Sequence, residues 1–243
     1  MKILEIACDS VSSAYYAQDG GADRIELCDN LAQGGITPSA GKIKLAKRLL
    51  HIPIFVLIRP RKGDFFYNTL EAETMLEDVS IAKSMGADGI VAGALRHDGT
   101  LDEMLLQQLK MAASPLPFTF HRAFDVCKAP EKVLEQLIDM QVERVLTSGQ
   151  QSSAIVGKNN IQRLLQQAQQ RIQIIAGGGI RPHNIGELVS IPELQEFHSS
   201  AKQVVLSQME FRGHVAMGKE AAAEEFQWEQ VDSALVKQMK IQL

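Results

Sequence analysis

Short β-branched runs recur along this chain, each followed by a longer helical stretch, and no other feature constrains the fold as tightly. The runs begin near Ile3, Asp23, Pro53, Asp88, Pro117, Glu143, Ile172 and Leu194. Most are about 20 to 35 residues apart, the size of one βα unit. Consecutive strands are therefore expected to be parallel and joined by right-handed crossovers. The intervening segments carry apolar residues near helical spacing, as from Leu70 to Met85 with Leu70, Met75, Leu76, Val79, Ile81 and Ala82.

Local punctuation agrees. Gly20-Gly21-Ala22-Asp23 and Gly86-Ala87-Asp88 put glycine where a helix stops and a strand begins, a position that favours left-handed backbone. Pro53, Pro117 and Pro130 stand at element starts, where a missing N–H matters least. No Ser/Gly-rich or Pro-rich linker divides the 243 residues. The expectation is one domain over 1–243, an α/β chain folded as a single (β/α)8 TIM-type barrel. Residues 205–243 are read as a loop and a C-terminal helical segment. The alternative, a doubly wound open sheet, needs edge strands, and none of the eight runs looks like one.

Composition narrows the partners. Net charge is −4, with 45% hydrophobic and 22% charged residues, which argues against disorder and against nucleic acid as main partner. The apolar run at the N-terminus is short and broken by Glu5 and Asp9, unlike a signal peptide. No segment approaches the ~20 apolar residues of a membrane helix. The three cysteines, Cys8, Cys28 and Cys127, show no C-x-x-C spacing. A cytoplasmic protein with free thiols is expected.

Parallel strands usually read as continuous apolar runs, and several here alternate instead. Leu4, Ile6 and Cys8 alternate with Glu5 and Ala7; Ile25 and Leu27 alternate with Arg24, Glu26 and Cys28. The third run ends Ile58-Arg59-Pro60, the fifth reads Phe118-Thr119-Phe120-His121, and the eighth Glu196-Phe197-His198-Ser199. With the apolar set facing the helices, Glu5, Glu26, Arg59, His121 and His198 point into the barrel. Inward charges must be paired or bind something. Near the C-terminal strand ends they belong to a functional site or to a salt-bridge network.

The chemistry these residues allow is acid–base work on an anion. His121 and Glu26 are the proton-transfer candidates. Arg59, in Arg59-Pro60-Arg61-Lys62-Gly63-Asp64, is the candidate anion clamp, with Arg61 and Asp64 beside it. Gly177-Gly178-Gly179 after the seventh run is a candidate phosphate cradle or simply a tight turn. Asp125 can orient His121 or pair with Arg122; Thr147 and Ser148 offer hydroxyl donors. For a soft metal such as Cu(I), Cys28 is the one thiol on an inward face at a strand end, and Cys8 points toward the helices. Cys127, Met209 and Met217 are further soft groups.

Together the motifs resemble the CutC family of copper-homeostasis proteins. Those motifs are Gly21-Ala22-Asp23-Arg24-Ile25-Glu26-Leu27-Cys28, Gly34-Gly35-Ile36-Thr37-Pro38-Ser39, Arg59-Pro60-Arg61, Gly63-Asp64-Phe65 and Thr119-Phe120-His121-Arg122-Ala123-Phe124-Asp125. Arg144-Val145-Leu146-Thr147-Ser148-Gly149, Gly177-Gly178-Gly179-Ile180 and Val215-Ala216-Met217-Gly218 complete them. The resemblance implies a cytoplasmic barrel, self-association as a dimer or tetramer, and a link to copper tolerance or Cu(I) binding. Members proposed to bind copper resemble Glu-x-Cys-x-x-Ser on the first strand with Glu-Leu-Cys on the second. Here Ala7 stands at the first cysteine position, so only Cys28 carries over and the two-thiolate set is incomplete. Copper homeostasis is the leading expectation. The alternatives are an isomerase- or lyase-type enzyme acting on a phosphorylated or carboxylated metabolite, and a scaffold with a vestigial site.

Overall fold

A computed structural model describes residues 2–217 and 221–243. Gly218, the last residue of the family resemblance, lies outside the described residues. Eight strands form the barrel: β1 (Ile3–Cys8), β2 (Arg24–Leu27), β3 (Ile54–Leu57), β4 (Gly89–Ala92), β5 (Phe118–Phe120), β6 (Arg144–Thr147), β7 (Gln173–Gly177) and β8 (Glu196–Ser199). Each pairs in parallel with its neighbour in sequence, and β1 pairs with β8 to close the ring. The helices are α1 (Val11–Asp19), α2 (Ala40–Leu49), α3 (Thr69–Ser84), α4 (Glu103–Ala113), α5 (Pro130–Asp139), α6 (Lys158–Ala168), α7 (Ile185–Val189) and α8 (Ser233–Lys240). The chain is a closed (β/α)8 barrel, as the strand rhythm implies.

Local signals set the helix limits. Asn68 caps α3 by accepting from Glu71 N–H, and the Glu71 side chain accepts from Asn68 N–H in return. The helix ends before Gly86, whose φ of 89° only glycine adopts without strain. Gly21 plays the same part after α1, at φ 91°.

The apolar side chains that alternate with polar ones in β1, β2, β5 and β8 belong to the layer between sheet and helices. Leu4, Ile6, Cys8, Ile25, Leu27, Phe118, Phe120 and Phe197 are all fully buried in that core. The barrel interior is charged at its lower end. Arg24 bonds both Glu5 and Glu196, and Arg144 lies 3.5 Å from Glu196. The Arg24 and Arg144 guanidinium groups stack over the Phe55 ring at 4.8 and 5.0 Å. This paired plug fills the space that aliphatic layers occupy in most such barrels.

The C-terminal region differs from the expected loop and helix. After β8 the chain forms an antiparallel ribbon of β9 (Lys202–Leu206) and β10 (Gln227–Val231), and then α8. The ribbon strands are short and largely exposed, so no alternation marked them in the sequence. No helix among the described residues is long and apolar enough to cross a membrane.

Candidate active site

A cavity of about 260 Å3 opens at the C-terminal mouth of the barrel. Of the residues singled out in the sequence, Glu26, Arg59, His121, Arg122, Gly178, Gly179 and His198 line it. Glu5 lies beneath, its Oε1 2.7 Å from His198 Nδ1 and its Oε2 on Arg24. The register explains the layering: Glu5 is level with Arg24 and His198, and Ala7 with Glu26.

Glu5 and Glu26, from neighbouring strands, are driven to opposite ionisation. Burial would raise the Glu5 carboxyl, but Arg24 and His198 outweigh it and hold it at about 2. Glu26 bonds neither of them, and their charges only partly offset its burial. Its Oε2 is buried with no hydrogen bond among the described residues, and burial pushes its carboxyl up to about 7. Burial opposes charge on the His198 imidazole, yet the Glu26 and Glu5 carboxylates prevail and hold it above its usual value. Glu5, His198 and Glu26 thus form a buried acid–base chain with its titrating end at the cavity.

His121 is prepared differently. Its Nδ1 accepts from Ala123 N–H at 3.2 Å, which leaves the ring proton on Nε2. That Nε2 is buried without a partner among the described residues. Burial, helped by the Arg59 charge, lowers the imidazole to about 3, so it is neutral at physiological pH. The ring lies 4.9 Å from Phe65 and against Gly93, where an added Cβ would come within 2.8 Å of Nδ1. His121 is therefore a fixed, neutral N–H donor.

The remaining expectations divide. Arg59 is at the cavity wall, but its Nη1 donates to Gly35 O (2.9 Å) and Gln33 O (3.4 Å), and its Nη2 to Gly63 O (2.6 Å). It holds two loops together, and its Nε is buried without a hydrogen-bond partner among the described residues. Arg61 and Asp64 pair with each other at 3.0 Å, and Arg61 with Glu71 at 2.5 Å, in an exposed loop outside the cavity. Asp125 pairs with Arg122 at 2.7 Å and does not touch His121. It also accepts from Thr147 Oγ1 (2.5 Å), Ser148 N–H (3.0 Å) and Gln150 N–H (3.1 Å). Thr147 and Ser148 thus brace the loop after β6, and Leu146 is the side chain of β6 at the cavity. Gly177 is a packing position, since a Cβ there would lie 2.6 Å from Leu146 Cδ1.

The soft groups do not converge. Cys28 packs inside the barrel with Phe55, Leu57 and Val91, Cys8 packs on the helix side, and neither lines the cavity. Burial pushes both thiols well above their usual range, away from the thiolate that Cu(I) takes. Ala7 does line the cavity. Cys127 is buried 4.0 Å from Gln150 Nε2, and Met209 and Met217 are exposed. The one cluster among the described residues with metal-ligand character is Glu5, Glu26 and His198, whose donor atoms lie within 4.8 Å of one another. Its oxygen and nitrogen donors do not match the thiolate and thioether preference of Cu(I). The sequence reading missed Arg181, Ser200 and Lys202, which also line the mouth. Arg181 had a legible signal, since it directly follows the glycine cluster.

The fold and this cavity define a (β/α)8 barrel protein with a polar-lined cavity at its C-terminal mouth. Comparison with known proteins narrows the class: the chain belongs to the CutC family, whose model matches residues 2–203. It is 46% identical to the human copper homeostasis protein cutC homolog over 236 residues, 97% of this chain and 86% of that one. A Parabacteroides distasonis family protein CutC is 45% identical, covering 97% of this chain and 98% of its own. A crystal structure of the Streptococcus agalactiae copper homeostasis protein CutC superposes with a TM-score of 0.79 at 34% identity. It covers 82% of this chain and 99% of its own.

Proposed function

We propose that the barrel mouth binds a small anionic metabolite and moves a proton on it. On this reading the copper homeostasis for which the relatives are named is served through that pocket, not through a thiolate Cu(I) centre. One observation carries the proposal: Glu26 Oε2 and His121 Nε2, both buried and without partners among the described residues, belong to the wall of one cavity. Buried polar groups are nearly always satisfied, so such atoms gathered at one cavity, with Arg59 Nε and Arg181 Nη1 beside these two, mark a place where a ligand completes the bonding. A carboxyl near 7 can give and take a proton at physiological pH, and a neutral imidazole N–H can polarise a carbonyl oxygen beside it. The reaction class is isomerisation or lyase chemistry next to a carbonyl. Glu26 holds the moving proton, and Glu5 sets His198 beneath it.

We also place the chain in the cytoplasm, where three free cysteines stay reduced, and read it as a homo-oligomer on the family resemblance. The test is thermal stabilisation by a panel of anionic metabolites and by Cu(I). A ligand at 100 times its Kd adds about 2.7 kcal/mol. Phosphorylated or carboxylated carbonyl compounds are expected to raise the Tm of the parent, with the rise lost in His121→Phe. Stabilisation by Cu(I) alone would overturn the proposal.

A further inference from the structure

The mouth has a second end that the proton-transfer residues do not use. We propose that the loop after β7 is a phosphate subsite, so that the substrate is a phosphate monoester; this rests on the reading of the mouth as a substrate pocket. The backbone of that loop is turned in one direction. Gly178 O accepts from Ala154 N–H at 2.9 Å, Gly179 O from Asn184 Nδ2 at 2.9 Å, and Ile180 O from Ser199 Oγ at 2.8 Å. With all three carbonyls tied off, the N–H groups of Gly178, Gly179 and Ile180 donate to no described residue. Ile180 is only 1% exposed, and the backbone N–H groups of buried residues are rarely left without a partner. All three residues line the cavity. The loop takes this shape because Gly178 and Gly179 sit at φ 100° and 73°, open to glycine at no steric cost.

Two guanidinium groups meet the same loop. Arg181 lines the cavity, and its Nη1 is buried without a partner among the described residues. Arg122 lies over Gly178, where an added Cβ would be 3.4 Å from its Nη1. Asp125 holds Arg122 Nε at 2.7 Å and Ser148 Oγ holds Nη2 at 2.8 Å, which leaves Nη1 for a ligand. Three N–H donors and two cations exceed what the two oxygens and single charge of a carboxylate satisfy. A phosphate dianion brings three terminal oxygens and nearly two charges. Arg59, across the mouth, has its Nη groups occupied by backbone carbonyls and is not part of this grip. Lys202 is paired with Glu229.

Titration calorimetry with inorganic phosphate and with acetate, at pH 6 and pH 8, tests the subsite. The parent is expected to bind phosphate with a Kd in the roughly millimolar range or tighter, and acetate far more weakly. Phosphate binding should strengthen at pH 8, where the dianion predominates. Arg181→Gln should weaken phosphate by about tenfold or more, Arg181→Lys should recover part of the loss, and Arg61→Gln, in the exposed loop outside the cavity, should change it little. Circular dichroism and Tm verify that each variant is folded, and Arg181→Lys keeps the charge should Arg181→Gln be unstable. Acetate binding equal to phosphate, no phosphate binding by the parent, or Arg181→Gln indistinguishable from the parent overturns the subsite. Phosphate binding as expected, together with phosphate-ester stabilisation undiminished in His121→Phe, instead rejects the proton-transfer reading and leaves the subsite standing.

Discussion

Glu26 should make the stability of this barrel fall as pH rises through neutrality. Burial lifts its carboxyl from 4.5 to about 7, so the folded chain holds that proton more tightly than the unfolded chain does. The stabilisation is complete below about pH 4.5 and is lost as the pH climbs to about 7. A gap of that size is worth about 3 kcal/mol, a large share of the roughly 5–15 kcal/mol that keeps a domain folded. His198 acts in the same direction, because its imidazole is held above its ordinary value of 6.5. Its contribution is present below that value and lost as pH passes the folded one. Glu5, held at about 2, contributes stability that is lost only as pH falls below 4.5, so it is constant from pH 5 to 8.

The parent is therefore expected to lose roughly 2–4 kcal/mol between pH 5 and pH 8 from this cluster. Glu26→Gln removes the carboxyl and with it the largest influence raising His198. The variant should have a much flatter profile and should be the more stable protein at pH 8. Urea unfolding followed by circular dichroism at constant ionic strength measures both curves, and their difference isolates the residue. A variant that keeps the full slope of the parent would refute the reasoning.

Three further outcomes follow from the same geometry. His121→Phe keeps the ring against Phe65 but gives up the bond to Ala123 N–H, so it should cost about 1 kcal/mol while abolishing metabolite-induced stabilisation in the thermal assay. Asp125→Ala frees the loop after β6 and unpairs Arg122, and should destabilise by about 3 kcal/mol in urea unfolding. Ala7→Cys puts a thiol on the cavity wall and should raise Cu(I) affinity by roughly tenfold or more against a competing chelator, while Cys28→Ser in the parent changes it little. Tight Cu(I) binding by the parent that Cys28→Ser removes would show that the buried thiol, not the cavity, is the metal site.

What was legible in the sequence is what local spacing controls. The βα period places every barrel strand within a residue or two of its observed start, because each strand and its helix must alternate to bury both faces of the sheet. The period-two alternation in β1, β2, β5 and β8 puts Leu4, Ile25, Phe118 and Phe197 against the helices, since successive side chains on a strand point to opposite faces. The absence of a cysteine at position 7 was likewise visible without coordinates.

Other features depend on residues far apart in the chain. Thr147 and Ser148 read as donors at a strand end, yet Asp125, from the turn after β5, claims both. Arg59 reads as a free cation, yet Gly35 and Gly63 close around it. Arg181 gains its meaning only when the carbonyls of the loop before it turn away toward Ala154, Asn184 and Ser199. Glu5 and Glu26 are the same residue type on adjacent inward faces, and nothing local separates them. Arg24 and His198 bond Glu5 directly and act on Glu26 only through their charges, so burial prevails at the second: Glu5 is held at about 2 and Glu26 at about 7. Periodicity fixes which face a side chain takes; its hydrogen-bond partners and its loss of water exist only once the barrel has closed.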